Sequence, residues 1–262
     1  MNVLQEIINF KFTEVEANKA KVSISELEKS KYFGKETVSL KQALLAENST
    51  GIIAEFKRKS PSKGEFPGNT FVPAEIAKGY IQAGACGLSI LTDGPYFGGN
   101  LTDLSNVRDV VSAPILRKDF MVDEYQIVEA KSAGADVILL IAAGIDTVLL
   151  NRLAKFAKSL GLETLLEVRE KEELDGNLSE YIDVVGVNNR NLKDFKVDIN
   201  QSIEMVNYIP DNFVKISESG LSKAESLSTL RGYGYKGFLM GEAFMQTPDP
   251  VNAINEFIKG IK

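Results

Sequence analysis

The segment 52–62 carries the residues most suited to chemistry, because an apolar run there leads directly into charged side chains. If the run is a strand, its side chains alternate between two faces, and Glu55 and Lys57 project to the same side as Ile53. Buried Glu and Lys are rare unless they are paired, since removing a charge from water costs several kcal/mol. The pair therefore indicates either a structural ion pair at a strand end or a strand that opens onto a polar cavity.

Later apolar runs end in polar side chains of the same kinds. Lys118 ends the third run, and Glu167 is the last residue but one of the fifth. Asn188 ends the sixth, with Arg190 two residues further on, and Glu218 follows the seventh. One such ending is compatible with an isolated ion pair, whereas several directed to one rim predict the floor of an active site. With these residue types, lysine and glutamate would carry the protons in acid–base chemistry.

The two lysines are expected to influence each other. Like charges in contact disfavour protonation, so Lys57 beside Lys118 predicts a lysine pKa below the free value of about 10.4, while the glutamates oppose that shift. A lowered lysine pKa would suit proton transfer near neutral pH.

Short apolar runs recur along the chain, and amphipathic stretches, several of which end in glycine, separate most of them. The runs cover 52–57, 87–92, 114–118, 137–141, 164–168, 184–188, 213–217 and 237–241. The stretches with helical spacing cover 72–83, 123–133, 146–160, 198–208, 223–231 and 251–261. This alternation over this length predicts an α/β fold, the (β/α)8 TIM barrel. A doubly wound open sheet shows the same alternation, but its nucleotide-binding forms have a glycine-rich turn after the first strand, and 57–60 is not one.

The residues before the first run are expected to form one or two helices that cap one end of the barrel. We therefore expect a single TIM-barrel domain over 1–262, with a helical N-terminal extension at 1–49 and the barrel at 50–262. Catalytic groups of such barrels lie at the carboxyl ends of the strands, where the polar residues described above fall.

Composition limits the available chemistry. The chain has no histidine and one cysteine, Cys86, which excludes Ser-His and Cys-His pairs, an internal disulfide and Cys-rich metal sites. Cys86 is interpreted as a small buried apolar residue, with a nucleophile as the alternative. The net charge of −6 argues against a nucleic-acid partner. Without a signal-peptide pattern or a long apolar run, we expect no membrane association and a cytoplasmic location.

Two loops that contain glycine follow the last two runs. Ser219 and Gly220 lie in one loop, and Gly241 and Glu242 lie in the other. Barrels often hold a phosphate at these loops, where backbone N–H groups approach the anion, and Ser60 could add a hydroxyl. A phosphorylated small-molecule substrate is therefore predicted, although each glycine taken alone is equally typical of a plain turn.

The loop 92–99 is rich in glycine and carries Tyr96 and Phe97. It is interpreted either as a mobile lid that brings Phe97 over an aromatic ligand, or as a loop that the two rings anchor to the barrel.

Several of these segments match known motifs in order along nearly the whole chain. They are 53–62, 91–93 with 96–99, 116–120, 166–168, 185–192, 216–221 and 238–243. Together they resemble the indole-3-glycerol-phosphate synthase family. Asn191 stands where an Asp is common in the sixth motif, whereas Asn188 and Arg190 are retained.

The resemblance implies ring closure of 1-(2-carboxyphenylamino)-1-deoxyribulose 5-phosphate to indole-3-glycerol phosphate, with loss of carbon dioxide and water, in tryptophan biosynthesis. It implies no metal and no organic cofactor, because protonation activates the substrate. Lys118 is then the general acid for the ketone oxygen. Glu167 is the favoured acid–base group for the dehydration, with Glu55 and Lys57 as open alternatives.

The resemblance also implies binding roles. Lys57, together with Arg190, would pair with the substrate carboxylate, and Asn188 and Glu218 would position the hydroxyls and the lysines. The remaining substrate contacts are Phe97 and Phe120 at the aromatic ring and Ser219 at a position left open. At the phosphate they are Ser60, Gly220, Gly241 and the Glu242 backbone N–H. The chain is expected to act as a monomer.

Two other functions fit a barrel with inward lysines. A Schiff-base aldolase would use Lys118 or Lys57 as a nucleophile. A phosphate-binding scaffold would leave the inward charges idle, which the convergence of so many polar groups argues against.

Overall fold

The computed structural model of the protein describes residues 3–66, 70–191 and 195–261, so Leu192 of the sixth motif lies outside the described residues. Within these ranges, eight parallel strands close a barrel, and each strand pairs with its neighbours in the sequence. The strands are β1 Ile52–Phe56, β2 Gly87–Leu91, β3 Ile115–Lys118, β4 Val137–Ile141, β5 Glu163–Val168, β6 Val184–Asn188, β7 Val214–Glu218 and β8 Gly237–Met240. The predicted (β/α)8 TIM barrel with an N-terminal helical extension is confirmed.

Helices surround the barrel and precede it. They are α1 Val3–Lys19, α2 Ile24–Leu27, α3 Leu40–Leu45, α4 Pro73–Ala83, α5 Gly94–Phe97, α6 Leu101–Arg108, α7 Glu124–Ala133, α8 Thr147–Ser159, α9 Asn200–Met205, α10 Ala224–Gly232, α11 Glu242–Met245 and α12 Pro250–Ile261. Short 3-10 helices cover Lys171–Leu174 and Val206–Tyr208, and Lys59–Ser60 pairs with Gly64–Glu65 in a β-ribbon after β1. No described helix combines the length and apolarity needed to cross a membrane.

The strands are buried on both faces, which gives the protein two apolar layers. In β1, Ile52, Ala54 and Phe56 point outwards and pack in the layer between the barrel and the surrounding helices. Ile53 points inwards and packs with residues from the other strands inside the barrel. The same alternation places Glu55 inside the barrel, one step nearer its carboxyl end.

Capping residues set the ends of the helices. Asp123 accepts a hydrogen bond from the backbone N–H of Tyr125 at the start of α7, and Gly134 ends that helix with a φ of 92°. Gly84 ends α4 in the same left-handed conformation, with a φ of 113°. These two glycines stand in matching Ala-Gly-Ala triplets, at 83–85 and 133–135, and form a repeated helix-to-strand joint.

The N-terminal extension contacts both ends of the barrel, whereas the sequence predicts a cap at one end. Leu40 and Leu44 of α3 are buried at the amino ends of the strands, in the same layer as Ile53. At the other end, Leu4 and Ile7 of α1 line a cavity at the barrel mouth. The apolar faces of α1 and α3 are visible in the sequence. Which end of the barrel each helix covers depends on the path of the chain between α1 and α3.

Candidate active site

A cavity of about 540 Å³ opens at the carboxyl ends of the strands. Its floor is made of charged side chains, and its walls come from the loops and from α1. The cavity is lined by all of the predicted site residues, namely Glu55, Lys57, Ser60, Phe97, Lys118, Phe120, Glu167, Asn188, Arg190, Glu218, Ser219, Gly220, Gly241 and Glu242. Side chains that are separated by up to 187 positions in the sequence thus share one pocket because parallel strands end at the same rim.

Lys118 lies between two carboxylates at the centre of the floor. Its Nζ donates to Glu167 Oε2 at 2.7 Å and to Glu218 Oε2 at 3.0 Å. These residues come from β3, β5 and β7, so their side chains converge across the barrel axis. Asn188 of β6 donates to Glu167 Oε1 at 3.0 Å, which fixes the plane of that carboxylate.

The charges on the floor shift one another's proton affinity. Burial by itself disfavours the ammonium of Lys118, but Glu167, Glu218 and Glu55 outweigh that effect and raise the pKa of Lys118. The predicted lowering of a lysine pKa is therefore wrong for Lys118, because several carboxylates surround it. We expect this ammonium to be fully protonated at neutral pH.

The two carboxylates beside Lys118 differ in their pKa. Burial favours the neutral form of both, but the contact with Lys118 outweighs it for Glu167 and lowers the pKa of that group. For Glu218, burial together with the charges of Glu167 and Glu55 outweighs the contact with Lys118 and raises the pKa to about 7. Glu167 is thus ionised and can act as a base, whereas Glu218 holds a proton readily.

Glu55 and Lys57 form a second pair on the floor. Lys57 Nζ lies 2.8 Å from Glu55 Oε1, and Ser89 Oγ of β2 donates to Glu55 Oε2 at 3.0 Å. Lys57 is partly open to the cavity, whereas Glu55 is buried. The sequence offered two interpretations of Glu55 and Lys57, an ion pair or a polar cavity. Both apply, since the ion pair forms part of the cavity wall.

Gly186 makes room for Glu218, a role that the sequence analysis missed. It lies on the inward face of β6, and a Cβ atom added there would overlap Glu218 Oε1. Its inward position could be read from its spacing to Asn188. The identity of the side chain that fills the space depends on the contact between β6 and β7.

The loops after β7 and β8 form the end of the cavity that the sequence assigns to a phosphate. Ser219 and Gly220 both have positive φ, 70° and 71°, which turns the backbone sharply after β7. Gly241 precedes α11 at the other side. Arg190 Nη2 lies 2.8 Å from Glu242 Oε2, so the expected pairing of Arg190 with a substrate carboxylate requires this ion pair to open.

Two aromatic rings form another wall. Phe97 and Phe120 have ring centroids 6.0 Å apart, and Leu4 and Ile7 of α1 complete the apolar lining near the mouth. The segment 92–99, interpreted as either a mobile lid or an anchored loop, contains the helical turn α5, and Asp93 caps it by accepting from the N–H groups of Tyr96 and Phe97. Leu4 and Ile7 were missed because an apolar stripe on a helix does not reveal what it packs against.

Within the described ranges, no group of three or more His, Cys, Asp or Glu side chains is arranged to hold a metal ion. The groups that line the floor can give and take protons. The barrel and this floor define an enzyme of the (β/α)8 class with its acid–base groups at the carboxyl ends of the strands.

Comparison with known proteins identifies the family. The indole-3-glycerol phosphate synthase family model matches residues 4–257, and the chain belongs to this family. The indole-3-glycerol phosphate synthase of Bacteroides thetaiotaomicron is 45% identical over 261 residues, covering 100% of this chain and 99% of that protein. The enzyme of the same description from Burkholderia ambifaria is 40% identical over 251 residues, covering 95% of this chain and 96% of that protein.

Solved structures with low identity share the fold. A 3-hexulose-6-phosphate synthase from Salmonella typhimurium aligns with a TM-score of 0.64 at 11% identity, covering 80% of this chain and 98% of that one. Another 3-hexulose-6-phosphate synthase aligns with a TM-score of 0.60 at 14% identity, covering 81% of this chain and 100% of that one. At these identities the likeness concerns the barrel alone.

Proposed function

We propose that this chain closes the ring of 1-(2-carboxyphenylamino)-1-deoxyribulose 5-phosphate to give indole-3-glycerol phosphate, carbon dioxide and water. The observation that carries the proposal is the Lys118 ammonium held between Glu167 and Glu218 on the floor of the cavity. Membership of the indole-3-glycerol phosphate synthase family supports this reaction.

The first step joins the ring carbon that carries the carboxylate to the ketone carbon. As this bond forms, the carbonyl electron pair moves onto oxygen, which must be neutralised. Lys118 donates a proton to that oxygen, which is why a protonated lysine is useful here. The carboxylates around Lys118 keep it charged until the substrate oxygen develops its own negative charge.

The second step releases carbon dioxide. The carbon–carboxylate bond breaks and its electrons restore the aromatic ring. Lys57 orients the substrate carboxylate before the bond breaks. When carbon dioxide, which is neutral, leaves, the Lys57 ammonium remains paired with Glu55 at 2.8 Å. The electrons of the broken bond cancel the positive charge that the first step left on the ring and its nitrogen, so no separate electron acceptor is required.

The third step removes water. The hydroxyl formed from the ketone takes a proton from a protonated group of the floor, which solvent replaces, and leaves as water. A base removes a proton from the neighbouring carbon so that the indole double bond forms. Glu167 is the proposed base, because its lowered pKa keeps it ionised and Asn188 holds it in place. Since Glu167 Oε2 lies 2.7 Å from Lys118 Nζ, the proton that it accepts can return to the lysine. Glu55 and Lys57 remain the alternatives for this step.

Contacts at both ends of the cavity would orient the substrate, with its aromatic ring at one end and its phosphate at the other. Phe97 and Phe120 would contact the aromatic ring. At the other end, Gly220, Gly241 and the backbone N–H of Glu242 would face the phosphate, with Ser60 nearby. Between the two ends, Arg190, once released from Glu242, would pair with the substrate carboxylate together with Lys57.

Turnover measurements on single variants test this proposal. Fluorescence of the indole product is followed after the carboxyphenylamino ketose phosphate is added to purified protein. Lys118→Ala is expected to lower kcat by about 1,000-fold or more, because the general acid is lost, and Lys57→Ala by less. Lys259→Ala, at an exposed position of α12, is the matched control and should keep normal turnover.

Near-normal turnover of folded Lys118→Ala would exclude the proposed role of this lysine. The Schiff-base alternative is tested separately by borohydride treatment in the presence of substrate. Because Lys118 is held as an ammonium ion, we expect no covalent adduct on it. A substrate-dependent mass increase on Lys118 or Lys57 would favour the aldolase function instead.

A further inference from the structure

Lys11 of α1 is a buried cation to which the proposed reaction gives no role. Its side chain is 1% exposed and does not line the cavity. A lysine is rarely buried to this extent unless several anions surround it. The sequence analysis missed Lys11, because a single lysine in a charged helix is usually solvated.

Three carboxylates surround the Lys11 ammonium. Its Nζ lies 2.6 Å from Glu14 Oε2 in the same helix, 3.0 Å from Asp93 Oδ2 and 2.9 Å from Asp119 Oδ1. Asp93 follows β2 and Asp119 follows β3, so one ammonium joins two strand exits.

Each of these aspartates also fixes the backbone of one aromatic residue in the cavity wall. Asp93 Oδ1 accepts hydrogen bonds from the N–H groups of Tyr96 at 2.8 Å and Phe97 at 3.2 Å. Asp119 Oδ1 accepts from the N–H of Phe120 at 2.9 Å. The Lys11 ammonium therefore sits where the supports of Phe97 and Phe120 meet.

The two aspartates depend on Lys11 to different degrees. Asp119 Oδ2 also accepts from Arg117 at 3.1 Å and from Thr92 at 2.5 Å. Asp93 Oδ2 accepts no well-oriented hydrogen bond from the described part of the chain, and Lys11 is the cation beside it. Removing the ammonium thus leaves Asp93 buried with an uncompensated charge, which favours movement of α5 towards solvent.

We propose that Lys11 is a positioning residue that sets the spacing of the Phe97 and Phe120 rings and so shapes the part of the cavity that takes the aromatic end of the substrate. The proposal rests on the proposed function for the identity of that substrate. It concerns one wall only, since the ion pairs of Lys11 in the described part of the chain are with Glu14, Asp93 and Asp119, none of which belongs to a phosphate loop.

Two binding titrations separate the ends of the cavity. N-methylanthranilate, followed by its fluorescence, reports on the aromatic end, and inorganic phosphate, followed by calorimetry, reports on the other end. For Lys11→Met we expect the Kd of N-methylanthranilate to rise about tenfold and that of phosphate to change less than about twofold. KM for the full substrate is expected to rise by more than kcat falls, because Lys118 keeps its own carboxylates.

Lys19→Met is the matched control, because Lys19 also joins α1 to the barrel, through Asp123 at 2.9 Å, but contacts neither Asp93 nor Asp119. It is expected to leave both titrations unchanged. If Lys11→Met does not fold, the double variant Lys11→Met/Asp93→Asn decides. It removes one charge of each sign, and the asparagine can still cap α5. Because no ammonium then joins the two strand exits, the Kd of N-methylanthranilate is still expected to rise in this variant.

A wild-type Kd for N-methylanthranilate in the folded single or double variant would overturn the proposal. Equal weakening of both ligands would overturn it too, since that is the behaviour of general destabilisation, and so would wild-type protein that does not bind N-methylanthranilate. Neither titration requires turnover. Failure of the proposed reaction would therefore appear separately, as wild-type protein that binds both probes but forms no indole product.

Discussion

Replacing Gly186 with alanine is expected to disable the active site while leaving the fold intact. The added Cβ would overlap Glu218 Oε1 and would lie 3.2 Å from both the Glu218 carboxyl carbon and Leu165 Cδ1. Carbon atoms in contact prefer about 3.5–4.0 Å, so the carboxyl carbon must withdraw by roughly 0.3–0.8 Å and the overlapping Oε1 by more. That movement stretches the 3.0 Å hydrogen bond from Lys118 to Glu218 beyond useful length.

A displacement of this size at a catalytic floor is expected to lower kcat/KM by about 100-fold. The free energy of unfolding is expected to fall by about 1–3 kcal/mol, because the added methyl group overpacks the barrel interior and the Lys118–Glu218 hydrogen bond is stretched. Glu218 Oε1 itself accepts no hydrogen bond from the residues that the structure describes, so its displacement adds no further loss. Gly186 has no positive φ, and the backbone therefore accepts alanine without strain.

The assay combines initial rates, measured by indole-product fluorescence, with thermal unfolding of the same samples. Gly232→Ala is the matched control, because a Cβ atom there meets nothing within 4 Å. It is expected to retain wild-type rates. Folded Gly186→Ala with a kcat/KM within about twofold of wild type would refute the reasoning, since the position of the Glu218 carboxylate would then be irrelevant to turnover.

Three further predictions concern stability and phosphate binding. The pKa of Glu218 is raised from 4.5 to about 7, so between these pH values the folded chain keeps a proton that the unfolded chain loses. Raising the pH from 4.5 to 7 is therefore expected to lower the free energy of unfolding of wild type by about 3 kcal/mol relative to Glu218→Gln, as measured by urea unfolding. Leu44→Ala is expected to lower the free energy of unfolding by about 2–5 kcal/mol, because it empties a buried site below the barrel. Gly220→Ala is expected to raise KM by about tenfold, since it strains a φ of 71° and overlaps Val197 Cγ1.

Each of these predictions has a contradicting outcome. Unfolding curves of wild type and Glu218→Gln that keep a constant difference between pH 4.5 and 7 would show that Glu218 does not hold the extra proton. For Leu44, which fills the buried site below the barrel, Leu45→Ala is the control, since Leu45 is 51% exposed. An equal loss of unfolding free energy in Leu44→Ala and Leu45→Ala would contradict the packing argument. For the phosphate end, an unchanged KM in Gly220→Ala would show that this turn does not need glycine.

Much of the fold is predictable because the barrel repeats a simple local pattern. Apolar runs of five or so residues, ended by polar side chains, locate the strands to within one or two positions, as at Val137–Ile141 and Val184–Asn188. The helix α5 was read as a loop because glycine and proline dominate its composition. Its start signal was nevertheless present, since Asp93 is a capping residue and Pro95 lies in the first turn.

The composition of the site was predictable from strand ends, whereas its energetics were not. Period-two alternation places Lys118, Glu167 and Glu218 inside the barrel, and no further information is needed for that step. The pKa of Lys118 depends on which carboxylates meet it across the barrel axis, which strand register and closure decide. The same limit hid Gly186 and Lys11, whose roles are defined entirely by their tertiary neighbours.

The N-terminal extension has a consequence for how this enzyme is made. Leu44 packs below the barrel where Gly237, at the start of β8, leaves space for it, yet β8 is the last strand to leave the ribosome. During synthesis, α3 therefore waits for most of the chain before its final partner in β8 exists. The last strand thus both closes the ring of strands and covers a helix that was synthesised before any of them.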